Sequence, residues 1–116
     1  MKARYIQRGD SADYVPEAAV AAGDVVRVGT LTGVAKLDIA PGELGAVALV
    51  GVYELKAKDG KTFAPGASVW FDPTDGTATP DKPAEGGAAF WFGHAMPDAK
   101  SGESFVRVRL EQSLEA

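Results

Sequence analysis

Glycine and proline interrupt this chain at short intervals along its whole length. Its 116 residues include 14 glycines and 7 prolines. They fall in blocks about ten residues apart, which is the spacing of turns between short strands. Long helices do not continue through such breaks. The spacing therefore predicts an all-β fold, a small single-domain barrel or sandwich.

Alternating hydrophobicity marks the segments between these turns as strands. Valine, valine and leucine at 106, 108 and 110 alternate with arginines at 107 and 109, a period typical of a strand with one buried face. Residues 25–28 alternate in the same way. Residues 46–52 are apolar on both faces and then alternate to Lys56, which predicts one long central strand. Residues 16–22 are alanine-rich, so they are either a short helix or a loop along a strand edge.

A weak internal repeat relates the two halves of the chain. Nine positions match in order, at an offset of 43 and, after one gap, of 42. This self-similarity predicts pseudo-duplicated halves, about 23–63 and 66–105, within one fold. Gly51 and Gly93 would then be equivalent bends in the middle of strands. A chance alignment of glycine-rich turns is the alternative.

Charge separates the start of the chain from the rest. Residues 1–8 contain Lys2, Arg4 and Arg8 and no acid, so the net charge of −4 divides into +3 on this segment and −7 on the remainder. We therefore expect a basic N-terminal arm, residues 1–8, and a single β domain, residues 9–116. A frayed, solvated terminus is the alternative. An acidic body lacks the clustered Lys and Arg that nucleic-acid phosphates require, so we expect no nucleic-acid partner.

Catalytic motifs are missing from the sequence. Residues 60–62 (GKT) match the end of a phosphate-binding loop, but Leu55 stands where its first glycine belongs. The only histidine, His94, lies in an aromatic segment, and no G-x-S-x-G motif accompanies it. We therefore expect no enzyme, no catalytic residue and no cofactor. The role of His94 stays open.

Metal binding has little support either. The chain has no cysteine and one histidine, which excludes thiolate and His-rich sites. A loose calcium site can be imagined at Asp72, Asp75 and Asp81, although aspartates in turns usually bond to local backbone. We therefore expect no metal ion.

Two aromatic pairs, Trp70–Phe71 and Trp91–Phe92, are candidates for contacts between subunits. Neighbouring residues of a strand face opposite ways, so a small barrel must turn some of these rings outward. Outward aromatic rings are enriched in interfaces. The alternative is that both faces of the sheet are covered within one chain.

The chain offers no candidate for membrane insertion. No apolar run approaches the ~20 residues of a spanning helix, and residues 1–8 lack the apolar stretch of a signal peptide. We therefore expect synthesis in a cytoplasm and no membrane partner.

Segments spread over nearly the whole chain resemble the phage cement proteins, a family formerly known as a domain of unknown function. They are YIQRGD at 5–10, GDVVRVG at 23–29, TGVA at 32–35, IAPGE at 39–43, GVYEL at 51–55, GASVWFD at 66–72 and VRVRL at 106–110. The resemblance implies a β-barrel or β-tulip-like subunit of a phage or prophage. Such a subunit decorates the capsid exterior in the virion, often as an oligomer.

The resemblance implies two partners, the major capsid protein and further copies of this chain, with a trimer favoured. We expect the arm residues Lys2, Arg4, Tyr5, Ile6 and Arg8 to bind the capsid. Family members have also carried a RecA/RadA-type recombinase label, which the missing phosphate-binding loop contradicts. A DNA-recombination protein and a carbohydrate-binding β module remain the alternative functions.

Overall fold

The computed structural model describes residues 2–96 and 105–112, and the regular structure of these residues is entirely β. Nine strands follow one another: β1 (Ser11–Tyr14), β2 (Val25–Val28), β3 (Leu31–Ala35), β4 (Gly45–Ala48), β5 (Val52–Lys56), β6 (Ser68–Asp72), β7 (Thr77–Thr79), β8 (Phe90–Ala95) and β9 (Phe105–Leu110). None of the described residues belongs to a helix that could span a membrane.

The strands form two antiparallel sheets. The smaller sheet has the order β1-β4-β3-β2, and the larger has the order β5-β9-β8-β6-β7. Val34 of the smaller sheet packs into the same buried cluster as Phe92 and Val108 of the larger one. The two sheets therefore share a core and form one compact domain. A second cluster, around Ile39 and Val47, covers the opposite face of the smaller sheet.

The larger sheet curls, but no closed barrel is found in the described part of the chain. Its outer strands, β5 and β7, approach each other through a single parallel bridge between Ala57 and Ala78. The Lys58 amide supports this bridge by donating to the Ala78 carbonyl at 2.9 Å. The open sides of β5 and β7 are thereby brought together.

Alternation predicts the faces of β9 correctly. Val106, Val108 and Leu110 are buried, while Phe105 and the two arginines are exposed. The long strand predicted over residues 46–56 is instead two strands in different sheets. Gly51, at φ +125°, lies between them, and this backbone conformation is open almost only to glycine. The chain turns there from β4 of the smaller sheet into β5 of the larger.

The two halves share an order of elements but not a pairing pattern. In the first half the hairpin β2–β3 pairs with β4 through its second strand, whereas β6–β7 pairs with β8 through its first strand. Gly51 precedes a strand and Gly93 lies within one. Residues 16–22 form no helix, and a bridge between Val20 and Ile39 holds them as a loop along the smaller sheet.

The segment after β9 ties the two sheets together. The Gln112 side chain accepts a hydrogen bond from the Thr32 amide at 2.9 Å and donates to the Thr32 carbonyl at 2.9 Å. It also donates to the Leu49 carbonyl at 3.1 Å. The buried Thr32 hydroxyl donates to the Trp91 carbonyl at 2.7 Å. These bonds join β3 and the end of β4 to the larger sheet.

Candidate functional site

The N-terminal arm is the most exposed part of the described chain. Residues 2–9 are exposed and belong to no strand. Tyr5 and Ile6 are 78% and 76% exposed, the two highest values among large apolar side chains of the described residues. Such side chains gain free energy when a partner covers them. The structure thus presents two apolar groups, flanked by basic residues, ahead of the folded domain.

The arm leads directly into an edge strand. β1 pairs with β4 on one side only, and Asp10 starts that pairing by accepting a hydrogen bond from the Leu49 amide at 2.9 Å. The guanidinium of Arg8 lies 3.6 Å from the Asp10 carboxylate, and both side chains are well exposed. The base of the arm is therefore fixed to the smaller sheet.

The four aromatic side chains divide into two buried and two half-buried rings. Phe92 is fully buried and Phe71 is 9% exposed, both within the main core cluster. These two phenylalanines fill the interior of the domain. Trp70 and Trp91 are half-buried and pack edge to face at 5.6 Å between ring centroids.

His94 is held in a polar contact at the surface. Its Nδ1 lies 2.7 Å from a Glu111 carboxylate oxygen, and its ring packs edge to face on Trp91 at 5.2 Å. The Trp91 indole N–H donates to the Glu111 carbonyl at 2.7 Å. Together these contacts hold the segment after β9 against β8. This geometry is that of a contact that stabilises the fold.

Asp72 and Asp75 surround a lysine in the turn between β6 and β7. The Lys58 ammonium lies 2.7 Å from Asp72 Oδ2 and 3.5 Å from Asp75 Oδ2. Asp72 also accepts a hydrogen bond from the Thr74 amide at 2.9 Å. No cluster of three or more potential metal ligands exists among residues 2–96 and 105–112.

Gly60 and Lys61 belong to a turn. The Lys61 amide donates to the Lys58 carbonyl at 3.0 Å, and its side chain pairs with Asp81. The fragment that resembles a phosphate-binding loop thus lies in a turn, and none of the described residues after it belongs to a helix.

The lysine and its two carboxylates give stability a defined pH dependence. The hydrogen bond from Lys58, followed by that from Thr74, lowers the pKa of Asp72 below its ordinary 3.8. The hydrogen bond to Asp72 raises the pKa of Lys58 above its ordinary 10.5. The contribution of Asp72 is therefore present above pH 3.8 and is lost as the pH falls through the lowered pKa. That of Lys58 is present below pH 10.5 and is lost as the pH rises through the raised pKa.

Lys58→Met is therefore expected to lower the melting temperature near neutral pH by a few degrees at most, because the pair is partly solvated. The deficit should vanish at pH values acidic enough to protonate Asp72. Melting curves by circular dichroism across the pH range measure it, with Lys82→Met, an exposed lysine of the following loop, as the control. A deficit that persists unchanged into strong acid would contradict the assignment.

Comparison with known proteins assigns a family to this geometry. The family model for phage cement proteins matches residues 6–110, which include both sheets and the last residues of the arm. The chain belongs to the phage cement protein family. Comparisons with curated proteins and with solved structures gave no match.

As a phage cement protein, the chain has a capsid decoration function and associates with the phage capsid. The family is structural, in agreement with the sequence interpretation. The family match does not support the recombination and carbohydrate-binding alternatives.

The structure also leaves three apolar side chains exposed that the sequence did not single out. Val15, Leu37 and Leu44 are 55%, 74% and 68% exposed. Val15 directly follows β1 and Leu44 directly precedes β4, and Tyr14 pairs with Gly45. Leucine and valine in loops carry no periodic signal, so only the fold shows that these side chains are left outside the core.

Proposed function

We propose that this cement protein binds the exterior of the assembled phage head through its basic arm and stabilises the shell without catalytic activity. The major capsid protein is the partner, and the mature location is the virion, after synthesis in the host cytoplasm. The observation that carries the proposal is the exposure of residues 2–9 ahead of an edge strand.

The capsid-binding residues proposed are Lys2, Arg4, Tyr5, Ile6 and Arg8. An extended segment can add to an exposed sheet edge, where main-chain hydrogen bonds supply affinity and alternate side chains enter pockets. Tyr5 and Ile6 supply apolar area, and the basic residues attract an acidic capsid surface. The strongly exposed side chains described above are the observations that support this division of roles.

A homo-oligomer, with a trimer favoured, completes the proposal. An oligomer with several arms engages several capsid subunits at once, and each further contact benefits from high effective concentration. Trp70 and Trp91 are the aromatic side chains proposed at a subunit contact. Their support is partial exposure on strands β6 and β8 and the enrichment of tryptophan in interfaces.

Deleting residues 1–8 is expected to abolish binding to cement-free phage heads, raising the dissociation constant by about a hundredfold or more through loss of both contacts and avidity. The melting temperature should stay within a degree or two of the full chain, since these side chains bury nothing in the domain. Co-sedimentation of purified protein with heads measures binding, and circular dichroism measures folding.

Two matched variants separate the contributions of charge and apolar area. Glutamine at positions 2, 4 and 8 removes the charge, and serine at positions 5 and 6 removes the apolar pair. The first should weaken the salt dependence of binding, and the second should weaken binding at all salt concentrations. Decoration of heads by the truncated protein with unchanged affinity would refute the role of the arm.

A further inference from the structure

Within the described chain, the smaller sheet leaves both of its outer strands with an open edge. In the larger sheet, the outer strands β5 and β7 meet at the Ala57–Ala78 bridge. In the smaller sheet, the outer strands β1 and β2 each pair with one strand only within residues 2–96 and 105–112. An open edge presents unpaired N–H and C=O groups, and proteins usually guard it with proline, bulges or charge. Neither strand contains proline, and the registers of both are uninterrupted.

The hydrogen bonds identify which backbone groups point outward. Alternate residues of an antiparallel strand bond to a given neighbour. The Leu49 amide donates to the Asp10 carbonyl, so residues 10, 12 and 14 bond to β4, and Ser11 and Asp13 point away from it. The Ala35 amide donates to the Asp24 carbonyl, so in β2 the outward residues are Val25 and Arg27. Each edge thus offers two residues to a new strand.

The side chains at these outward positions carry opposite charges. Ser11 pairs with Ala48, which in turn pairs with Val34, and Val34 pairs with Val25. These residues share one face of the sheet. Asp13 and Arg27 lie on the same face, two positions further along their strands and therefore on opposite sides of the Ser11–Val25 row. Asp13 is exposed. The guanidinium of Arg27 lies 4.7 Å from the Phe90 ring centre. It donates one hydrogen bond, to the Thr32 hydroxyl. A guanidinium has five N–H donors, so further donors remain for a carboxylate.

We infer that the β1 edge of one copy pairs with the β2 edge of the next, head to tail, with Asp13 facing Arg27. The occupant of each edge is thus a second copy of this chain. Self-pairing of either edge would lack this attraction, because the charged residues at the outward positions include only an acid in β1 and only a base in β2. This inference rests on the self-association included in the proposed function. It adds a contact between strand edges to the tryptophan contact proposed there.

Strand direction fits this arrangement. Every neighbour in the smaller sheet is antiparallel, so β1 and β2 run in opposite directions. β1 of one copy then meets β2 of the next antiparallel, and a displacement of four residues along the strands brings Arg27 of the next copy level with Asp13. Head-to-tail contacts form closed rings or open helical filaments, whereas self-pairing of one edge gives a two-fold dimer.

Charge reversal tests the contact. Asp13→Arg should raise the dissociation constant of the oligomer by about tenfold or more, because it turns each cross-strand attraction into a repulsion. Arg27→Asp should do the same, and the double variant should recover association. Glu85→Arg, the same charge change in an exposed loop, is the control and should not alter the mass. Sedimentation velocity over a concentration series measures the association.

Amide hydrogen exchange gives a second measurement that does not depend on the variants. The amides of Ser11, Asp13, Val25 and Arg27 should slow as the concentration rises, while those of residues 12 and 14, already bonded within the chain, should change little. If Arg27→Asp does not fold, Asp13→Arg and this exchange pattern decide the question. An unchanged dissociation constant for Asp13→Arg, concentration-independent exchange at the four amides, or a wild-type chain that stays monomeric would overturn the inference.

Head binding is scored separately. Wild-type protein that oligomerises but does not bind cement-free heads would refute the proposed function and leave the edge contact standing. Asp13→Arg protein that keeps its oligomeric mass and binds heads normally would refute the edge contact alone.

Discussion

Gly93→Ala is expected to lower the free energy of unfolding by about 3 kcal/mol or more. Adding atoms to a packed interior typically costs about 1–3 kcal/mol when side chains can adjust, but here the obstacle is backbone. A Cβ at Gly93 would lie 1.8 Å from the Arg109 carbonyl oxygen and 2.9 Å from its carbonyl carbon. Strands β8 and β9 must move apart to admit the methyl group. The hydrogen bond from the Glu111 amide to the Phe92 carbonyl, 2.9 Å long, lies at this point.

Urea denaturation followed by circular dichroism measures this loss. Gly60→Ala is the control, because Gly60 has φ +76° and a Cβ there would meet nothing within 4 Å. Its cost is backbone strain of about 1–2 kcal/mol. An equal or smaller loss for Gly93→Ala would show that β8 and β9 separate more easily than their pairing indicates.

Phe92→Ala is expected to cost about 3–5 kcal/mol, the usual range for removing a large ring from a core. Phe92 is fully buried and packs edge to face against Tyr53, with 6.3 Å between the ring centres. The loss should be the same at every protein concentration, because the ring stabilises each copy by itself. A residue in a subunit contact would instead give a loss that depends on concentration.

Trp70→Ala provides the comparison for Phe92→Ala. The Trp70 side chain is half-buried on β6, so its removal should cost less folding free energy and should weaken association if it lies in the proposed contact. Thermal melts at two protein concentrations, with sedimentation velocity, distinguish the cases. A Phe92→Ala variant with wild-type stability and weakened association would place this ring at an interface.

The strands were more predictable than their arrangement. Side-chain alternation is a local property, so β9 could be assigned from the sequence with its faces, and β2 could be assigned as a strand. The division of residues 46–56 between two sheets depends on the φ of Gly51, which sequence cannot supply, because glycine adopts both signs of φ with similar ease. Which strands pair depends on residues that are distant in the sequence. The sequence repeat therefore did not indicate which strand of each hairpin pairs with the next strand.

The candidate sites show the same limit. The exposed, basic arm follows from the charge pattern of residues 1–8. The four aromatic residues could not be assigned from sequence, because adjacent residues on a strand face opposite ways and only the register decides which face is covered. An irregularity between Val69 and Trp70 shifts that register. In the structure Phe71 and Phe92 point into the core, and the two tryptophans lie nearer the surface.

The position of β9 between β5 and β8 has a consequence for synthesis. The smaller sheet uses only strands up to Ala48, so it can form while the ribosome is still translating the second half of the chain. β5 must wait for β9, its only antiparallel partner in the described chain, and Gln112 bonds to Thr32 across 80 positions. The hydrogen bonds between Gln112 and Thr32 can form only after residue 112 leaves the ribosome. The smaller sheet can therefore form before β9, the last of the described strands, is translated and completes the larger sheet.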